Sequence, residues 1–175
     1  MKNDYISDIH KKDKLILHPY ENLKERGTYN RKLIVKSDNI YLYDEDGKRY
    51  IDGPGGMWCN NIGHGNIEIA EAIKRQVEKM DYCSPFSEST ETTAELASVL
   101  SKLSPGDLNT VFFTPDGSTA NETALRFAML YNNILGRPEK KHIISRDRAY
   151  HGSTYLTASI SGKDREKNSF DFEKN

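Results

Sequence analysis

Short apolar runs separated by turn residues follow a polar opening stretch. Residues 1–30 are polar with scattered aromatic side chains, which predicts an N-terminal arm. Three apolar runs follow at residues 32–35, 40–43 and 49–51. Asp46-Gly47, between the last two runs, is typical of a hairpin turn. The pattern therefore predicts a small antiparallel meander.

Helical spacing of apolar residues appears three times after the glycine-rich stretch at residues 53–65. Asn66 can cap a first helix, whose apolar positions recur every three or four residues up to Met80. A second helix is predicted over residues 92–103, with Thr92 and Glu95 as a capping box. A third is predicted to start from the Thr119/Glu122 capping box and to end at Gly136.

Runs rich in β-branched and aromatic residues predict three further strands. Residues 110–114 precede the third helix, while residues 143–144 and 155–160 follow it. A strand-turn-helix-strand order implies a right-handed βαβ unit. We therefore expect an α/β fold, with a parallel or mixed sheet and helices on its faces.

The turn Asp116-Gly117-Ser118 connects the predicted strand at 110–114 to a helix. The first amides of a helix lack internal partners and carry a positive partial charge, so such a turn can bind an anion. Gly117 allows close approach of the backbone and Ser118 can donate its hydroxyl. The dinucleotide motif GxGxxG and the Walker motif are absent, which favours a phosphate monoester over a nucleotide. On its own, such a turn is more often a plain helix cap.

The segment Tyr150-His151-Gly152 supports the interpretation of that turn as a phosphate-binding site. This segment follows the predicted strand at 143–144, so it is expected at the same sheet edge, where open α/β sheets bind ligands. Tyr150 could stack on a flat cofactor, and His151 could bond to it or to its phosphate. A lone histidine beside a glycine is nevertheless usually structural.

Composition excludes several classes of protein. The 175 residues carry a net charge of −1 with no basic stripe, which argues against a nucleic-acid partner. No apolar run is long enough for a signal peptide or a membrane helix. Cys59 and Cys83 lie in no CxxC motif, so we expect reduced thiols and a cytoplasmic location. With only 36% apolar residues, the chain is either a highly solvated domain or a segment whose core lies partly elsewhere.

Three motifs in order resemble the class III (ω-) aminotransferases over residues 18–171. They are GMWCNNIGHG at 56–65, FFTPDGSTANE at 112–122 and YHGST at 150–154. The resemblance implies a fold-type I pyridoxal-phosphate (PLP) transferase, represented by an N-terminal segment and an incomplete first part of the large domain. That domain has a mixed, mainly parallel sheet with flanking helices. The implied organisation is an arm at 1–30, the meander and glycine-rich loop at 31–65, and the large-domain segment at 66–175.

The resemblance also implies roles for individual residues. Gly117 and Ser118 would hold the PLP phosphate, and Tyr150 would stack on the pyridine ring with His151 beside it. Trp58 would line the substrate pocket, although a tryptophan in the core is the alternative. Because the family forms homodimers with sites at the interface, the neighbouring subunit's pocket would be reached by Tyr20 and Phe86.

No catalytic residue is expected within this chain. The resemblance puts the family's reactive lysine, which forms the Schiff base, well beyond residue 175, together with the acidic partner of the pyridine nitrogen. The family's lysine context is absent around each of four lysines: Lys102, Lys140, Lys141 and Lys163. The chain alone is therefore expected to be unable to catalyse the reaction of the family.

The leading interpretation is the N-terminal fragment of a PLP-dependent aminotransferase. It would move an amino group from an amine or ω-amino acid to a keto acid such as pyruvate, with no nucleic-acid or membrane partner. An aminomutase or racemase on the same fold is one alternative. A truncated, inactive remnant that keeps a phosphate-binding or interaction surface is another.

Overall fold

The computed structural model describes residues 2–163 and divides the chain into two compact units between Glu88 and Ser89. The first unit contains the helix α1 (Lys2–Asp13), the strands β1 (Ile34–Asp38), β2 (Tyr41–Asp44) and β3 (Arg49–Ile51), the short turn α2 (Gly55–Trp58) and the helix α3 (Ile67–Lys79). The second contains the helices α4 (Glu91–Leu103), α5 (Gly117–Ile134) and α6 (Tyr155–Ile160). The three domains expected at 1–30, 31–65 and 66–175 stay a prediction.

The predicted meander is confirmed. The strands pair antiparallel in the order β1-β2-β3. Ile34 faces Asp44 and Asp38 faces Tyr41 across the first pair, with an irregularity between Ile34 and Lys36. Tyr41 faces Ile51 across the second pair.

Asp44 organises the turn that joins β2 to β3. Its carboxylate is buried and accepts three hydrogen bonds, from the Tyr50 hydroxyl (2.7 Å), the Lys48 amide (2.8 Å) and the Asp46 amide (3.1 Å). The Lys32 ammonium lies 3.8 Å from the Tyr50 ring centroid. The hydrogen bond from Tyr50, supported by these amides, lowers the pKa of the Asp44 carboxyl below its ordinary value.

The predicted start of α3 is confirmed, and that of α4 is shifted. Asn66 caps α3 as predicted, since its side chain accepts the Ile69 amide. The cap of α4 is Thr90 rather than Thr92, because Thr90 Oγ1 accepts the Thr93 amide at 3.2 Å. Capping requires extended dihedrals at the cap residue, and Thr90 has them. The helix α1 was not predicted, because the polar opening stretch has no clear apolar period.

The strands predicted in the second unit are wrong in this structure. Residues 110–114 and 143–144 form neither helix nor strand, and the described part of the chain pairs them with no neighbouring strand. The only sheet found within residues 2–163 is thus the antiparallel meander, and the predicted parallel sheet is not formed there.

Residues 155–160 form α6 instead of a strand. The hydroxyl of Ser159 donates to the Tyr155 carbonyl (2.7 Å), and that of Ser161 donates to the Thr157 carbonyl (2.9 Å). These bonds reach back one helical turn, so they are compatible with a helix. A strand would also need a neighbouring strand, and the described chain pairs none with these residues.

Polar residues rather than apolar ones are the buried residues of the described chain. The buried residues with polar side chains are Asp44, Thr157 and Ser161, Gly152 is also buried, and no hydrophobic side chain joins them. Large apolar residues of the helices and extended segments are exposed, up to 99% for Ile144. No helix within residues 2–163 is long and apolar enough to cross a membrane.

Replacing Asp44 with Asn should make the unfolding midpoint in urea less dependent on pH. A carboxyl whose pKa is lowered by folding adds stability that is complete above its ordinary pKa and is lost as the pH falls below about 4. We therefore expect the parent chain to lose stability between about pH 5 and pH 3 more steeply than the variant. The matched control is Asp46→Asn, at an exposed position in the same turn; an equal effect of both variants would contradict the assignment.

Candidate functional site

The first part of the site is the N-terminus of α5. Asp116 has extended dihedrals, and its side chain accepts the Thr119 amide at 2.9 Å. Asp116, rather than the predicted pair of Thr119 and Glu122, is therefore the helix cap. The Thr119 amide, with help from that of Ser118, lowers the pKa of the Asp116 carboxyl, so the cap is negatively charged at neutral pH.

The second part of the site is the segment at residues 150–154. Its base is fixed by backbone hydrogen bonds from Arg148 to Gly162 (3.2 Å) and from Gly162 to Ala149 (2.9 Å). The amide of His151 donates to the hydroxyl of the buried Ser161 at 3.0 Å. The segment is thus supported from behind by the residues that follow α6.

Two hydrogen bonds join this segment to α5. The Asn121 side-chain amide donates to the His151 carbonyl (2.8 Å), and the Ser153 backbone amide donates to Ser118 Oγ (3.1 Å). The partners are 30 and 35 residues apart in sequence. Asn121 and Ser153 lie within the motifs, but sequence reasoning gave them no role, because no local pattern reveals a contact at such separation.

A cavity of about 600 Å³ lies where the two parts meet. All four residues predicted to bind the cofactor line it, together with the linking residues: Asp116, Gly117, Ser118, Asn121, Tyr150, His151, Gly152, Ser153 and Thr154. The structure therefore brings the two sequence motifs of this unit together, as the resemblance implied.

Polar atoms around the cavity have capacity for a ligand. Ser118 Oγ already accepts a hydrogen bond from Ser153, so its own proton is available for donation. His151, which lines the cavity, has a buried Nε2 with no hydrogen-bond partner. A buried polar atom without a partner is costly, so a partner for His151 would be stabilising. Against these features, the Asp116 carboxylate opposes an anion electrostatically.

Tyr150 presents a half-exposed ring beside the cavity. The ammonium of Lys163 lies 5.0 Å from the ring centroid. A ring in this setting can stack on a planar ligand. The residues of this unit thus fit a small, flat phosphate ester, with the helix N-terminus and Ser118 for the phosphate and Tyr150 for the ring.

The residues predicted to contact substrate belong to the first unit. Trp58 is 77% exposed, Tyr20 81% and Phe86 98%. Trp58 and Tyr20 both have positive φ values, 69° and 59°. Most of the surface of each of these three residues is therefore exposed. Cys59 and Cys83, in the same unit, are free thiols.

Comparison with known proteins decides the family. The model of the aminotransferase class-III family matches residues 24–173. The chain belongs to this family. Class III aminotransferases use PLP, and the fold is part of a fold-type I PLP transferase, as predicted.

Similar proteins include an uncharacterised aminotransferase of Sinorhizobium fredii, 38% identical over 162 residues, which are 90% of this chain and 35% of the relative. A putrescine–pyruvate aminotransferase of Pseudomonas aeruginosa is 34% identical over 147 residues, which are 83% of this chain and 32% of that protein. The ω-transaminase of Pseudomonas jessenii in complex with PMP matches with a TM-score of 0.90 and 34% identity, over 95% of this chain and 37% of that one. A thermostable ω-transaminase variant engineered for asymmetric synthesis of enantiopure bulky amines replaces a tryptophan, a phenylalanine and an arginine. The chain spans about a third of the length of these proteins.

Gly152→Ala should loosen the junction at the cavity. Gly152 has φ +138°, and an added Cβ would clash with Thr157 Oγ1 on α6 and lie 2.9 Å from both Cα and Cβ of Ser118. Relieving these clashes moves the segment away from α5 and α6, which we expect to cost about 1–3 kcal/mol of unfolding free energy in urea titrations.

The control for that variant is Gly106→Ala. Gly106 also has a positive φ, +63°, but an added Cβ there would meet no atom within 4 Å. It therefore carries the milder strain of the left-handed region without any clash. Equal losses in the two variants would show that the close approach of Gly152 to its neighbours is unimportant.

Proposed function

We propose that this chain is the N-terminal part of a PLP-dependent aminotransferase and that its cavity on α5 holds the cofactor. The observation that supports this proposal most strongly is the junction between α5 and the 150–154 segment. There Ser118 Oγ accepts a hydrogen bond from the Ser153 amide, and Tyr150 and His151 line the same cavity. Family membership supports the cofactor, and the complex of the Pseudomonas jessenii enzyme with PMP supports its class.

In this proposal the residues of the cavity bind and orient the cofactor. The Ser118 hydroxyl donates to the phosphate, and the dipole of α5 adds positive potential there. Tyr150 covers one face of the pyridine ring, and the buried His151 Nε2 gains the hydrogen-bond partner that it lacks. Bound PLP supplies an electron sink that lets an amino group leave one substrate and join another.

The proposed reaction transfers an amino group from an amine or ω-amino acid to a keto acid, with pyruvate as the acceptor. The similarity to a putrescine–pyruvate aminotransferase supports both substrates. Trp58 is proposed to line the substrate pocket, and Tyr20 and Phe86 to reach the pocket of a second subunit in a homodimer. Their strong exposure supports a role in contacts of this kind.

The isolated chain is proposed to be unable to complete the reaction. It spans about a third of the length of its relatives. The resemblance implies that the reactive lysine lies outside this third. The exposed apolar residues, among them Phe112 and Ile144 in the two segments without secondary structure, support the proposal that these segments need a partner surface. A binding-only remnant is the second candidate, favoured by the same observations.

The first test measures PLP affinity by fluorescence titration of the chain and three variants. Ser118→Ala removes a donor to a charged group and should weaken binding roughly tenfold. Asp116→Asn keeps the helix cap but removes the opposing charge, so it should strengthen binding by about two- to fivefold. The control is Ser98→Ala, at an exposed site on α4. Unchanged affinity in both cavity variants would exclude the phosphate site.

The second test separates binding from catalysis. The chain should bind PLP but give no stoichiometric borohydride-trapped adduct at a single lysine and no turnover with an amine and pyruvate. A single trapped lysine together with turnover would overturn the proposal that the chain alone is incompetent. Absence of PLP binding would instead exclude the binding-only remnant.

A further inference from the structure

The glycine-rich loop between β3 and α3 contains a run of left-handed residues. The φ values are 55° at Gly55, 59° at Gly56, 57° at Met57 and 69° at Trp58. Glycine adopts this conformation freely, but Met57 and Trp58 do so only at a steric cost. Such residues persist where the surrounding structure over-determines them.

One carboxylate oxygen holds both ends of this loop. Asp52 Oδ2 accepts the Gly56 backbone amide at 2.9 Å and lies 2.9 Å from His64 Nε2. The Asp52 side chain is 9% exposed and that of His64 is 21% exposed, so water competes weakly for these bonds. The loop is therefore closed across the interval from residue 52 to residue 64.

The closed loop is also attached to the meander. The Asp52 amide donates to the Ile40 carbonyl at 2.8 Å. His64 exchanges two backbone hydrogen bonds with Asn39, at 3.0 and 2.7 Å. Gly63 packs so closely that an added Cβ would lie 2.7 Å from Asn39 Oδ1. The Asp52–His64 pair thus stands on a rigid base formed by the turn between β1 and β2.

We propose that the Asp52–His64 pair positions Trp58, by holding the left-handed turn that carries the indole. Neither residue touches a ligand in this proposal; both act through the loop. That the positioned indole contributes to substrate choice rests on the proposed function, whereas the positioning itself does not.

Trp58 is the only tryptophan in the chain, so its fluorescence reports on this turn alone. The test is time-resolved anisotropy of Trp58, without cofactor or substrate, in the 175-residue chain. Asp52→Ala should raise the amplitude of the nanosecond motion about twofold. Asp52→Asn keeps an acceptor oxygen and should restore most of the rigidity. Asp46→Ala, at an exposed position of the first unit, is the control and should match the parent.

His64→Ala gives the second arm, because it leaves the bond from Gly56 to Asp52 in place. It should likewise raise the amplitude of the nanosecond motion of the indole. Far-UV circular dichroism checks that each variant keeps its helices. If Asp52→Ala loses its helical signal, His64→Ala decides the question. Parent-like anisotropy in the folded variants would overturn the proposal. The readout needs no PLP, so failure of the proposed function would leave this result unaffected.

Discussion

The contact of Gly152 with the first turn of α5 is the constraint on which the candidate site depends. Only a residue without a side chain can bring the 150–154 segment so near to Ser118. This approach allows the Ser153 amide to reach Ser118 Oγ and the Asn121 side chain to reach the His151 carbonyl. The cavity is a product of that junction, since each of its two walls is otherwise an ordinary piece of local structure.

Local signals in the sequence predicted local structure well. The hairpin turn at Asp46-Gly47 and the Asn66 cap act within a few residues, and both appear where expected. The exact cap of α5 was missed because Asp116 and Thr119 both suit the position, and only backbone geometry distinguishes them. Four residues of the cavity were found through motifs, while Asn121 and Ser153 act over 30 residues or more and gave no local signal.

The strand predictions failed for a different reason. The apolar run at 110–114 has the composition of a buried strand, but a strand requires a partner, and the described chain provides none. Residues 155–160 also contain the β-branched Thr157 and Ile160, yet hydroxyl groups bonded one turn back accompany a helix there. Hydrophobic composition therefore indicated that these segments need a partner surface, but not which backbone form they take without one.

The acidic cap of α5 affects how the proposed site assembles. In many anion sites the ligand itself satisfies the amides at the start of the helix. Here the Asp116 carboxylate satisfies the Thr119 amide from within the chain. The pocket can therefore form without a ligand, because the Thr119 amide already has a hydrogen-bond partner. The carboxylate acts as an internal competitor, so the site is preorganised at the expense of holding its anion less tightly.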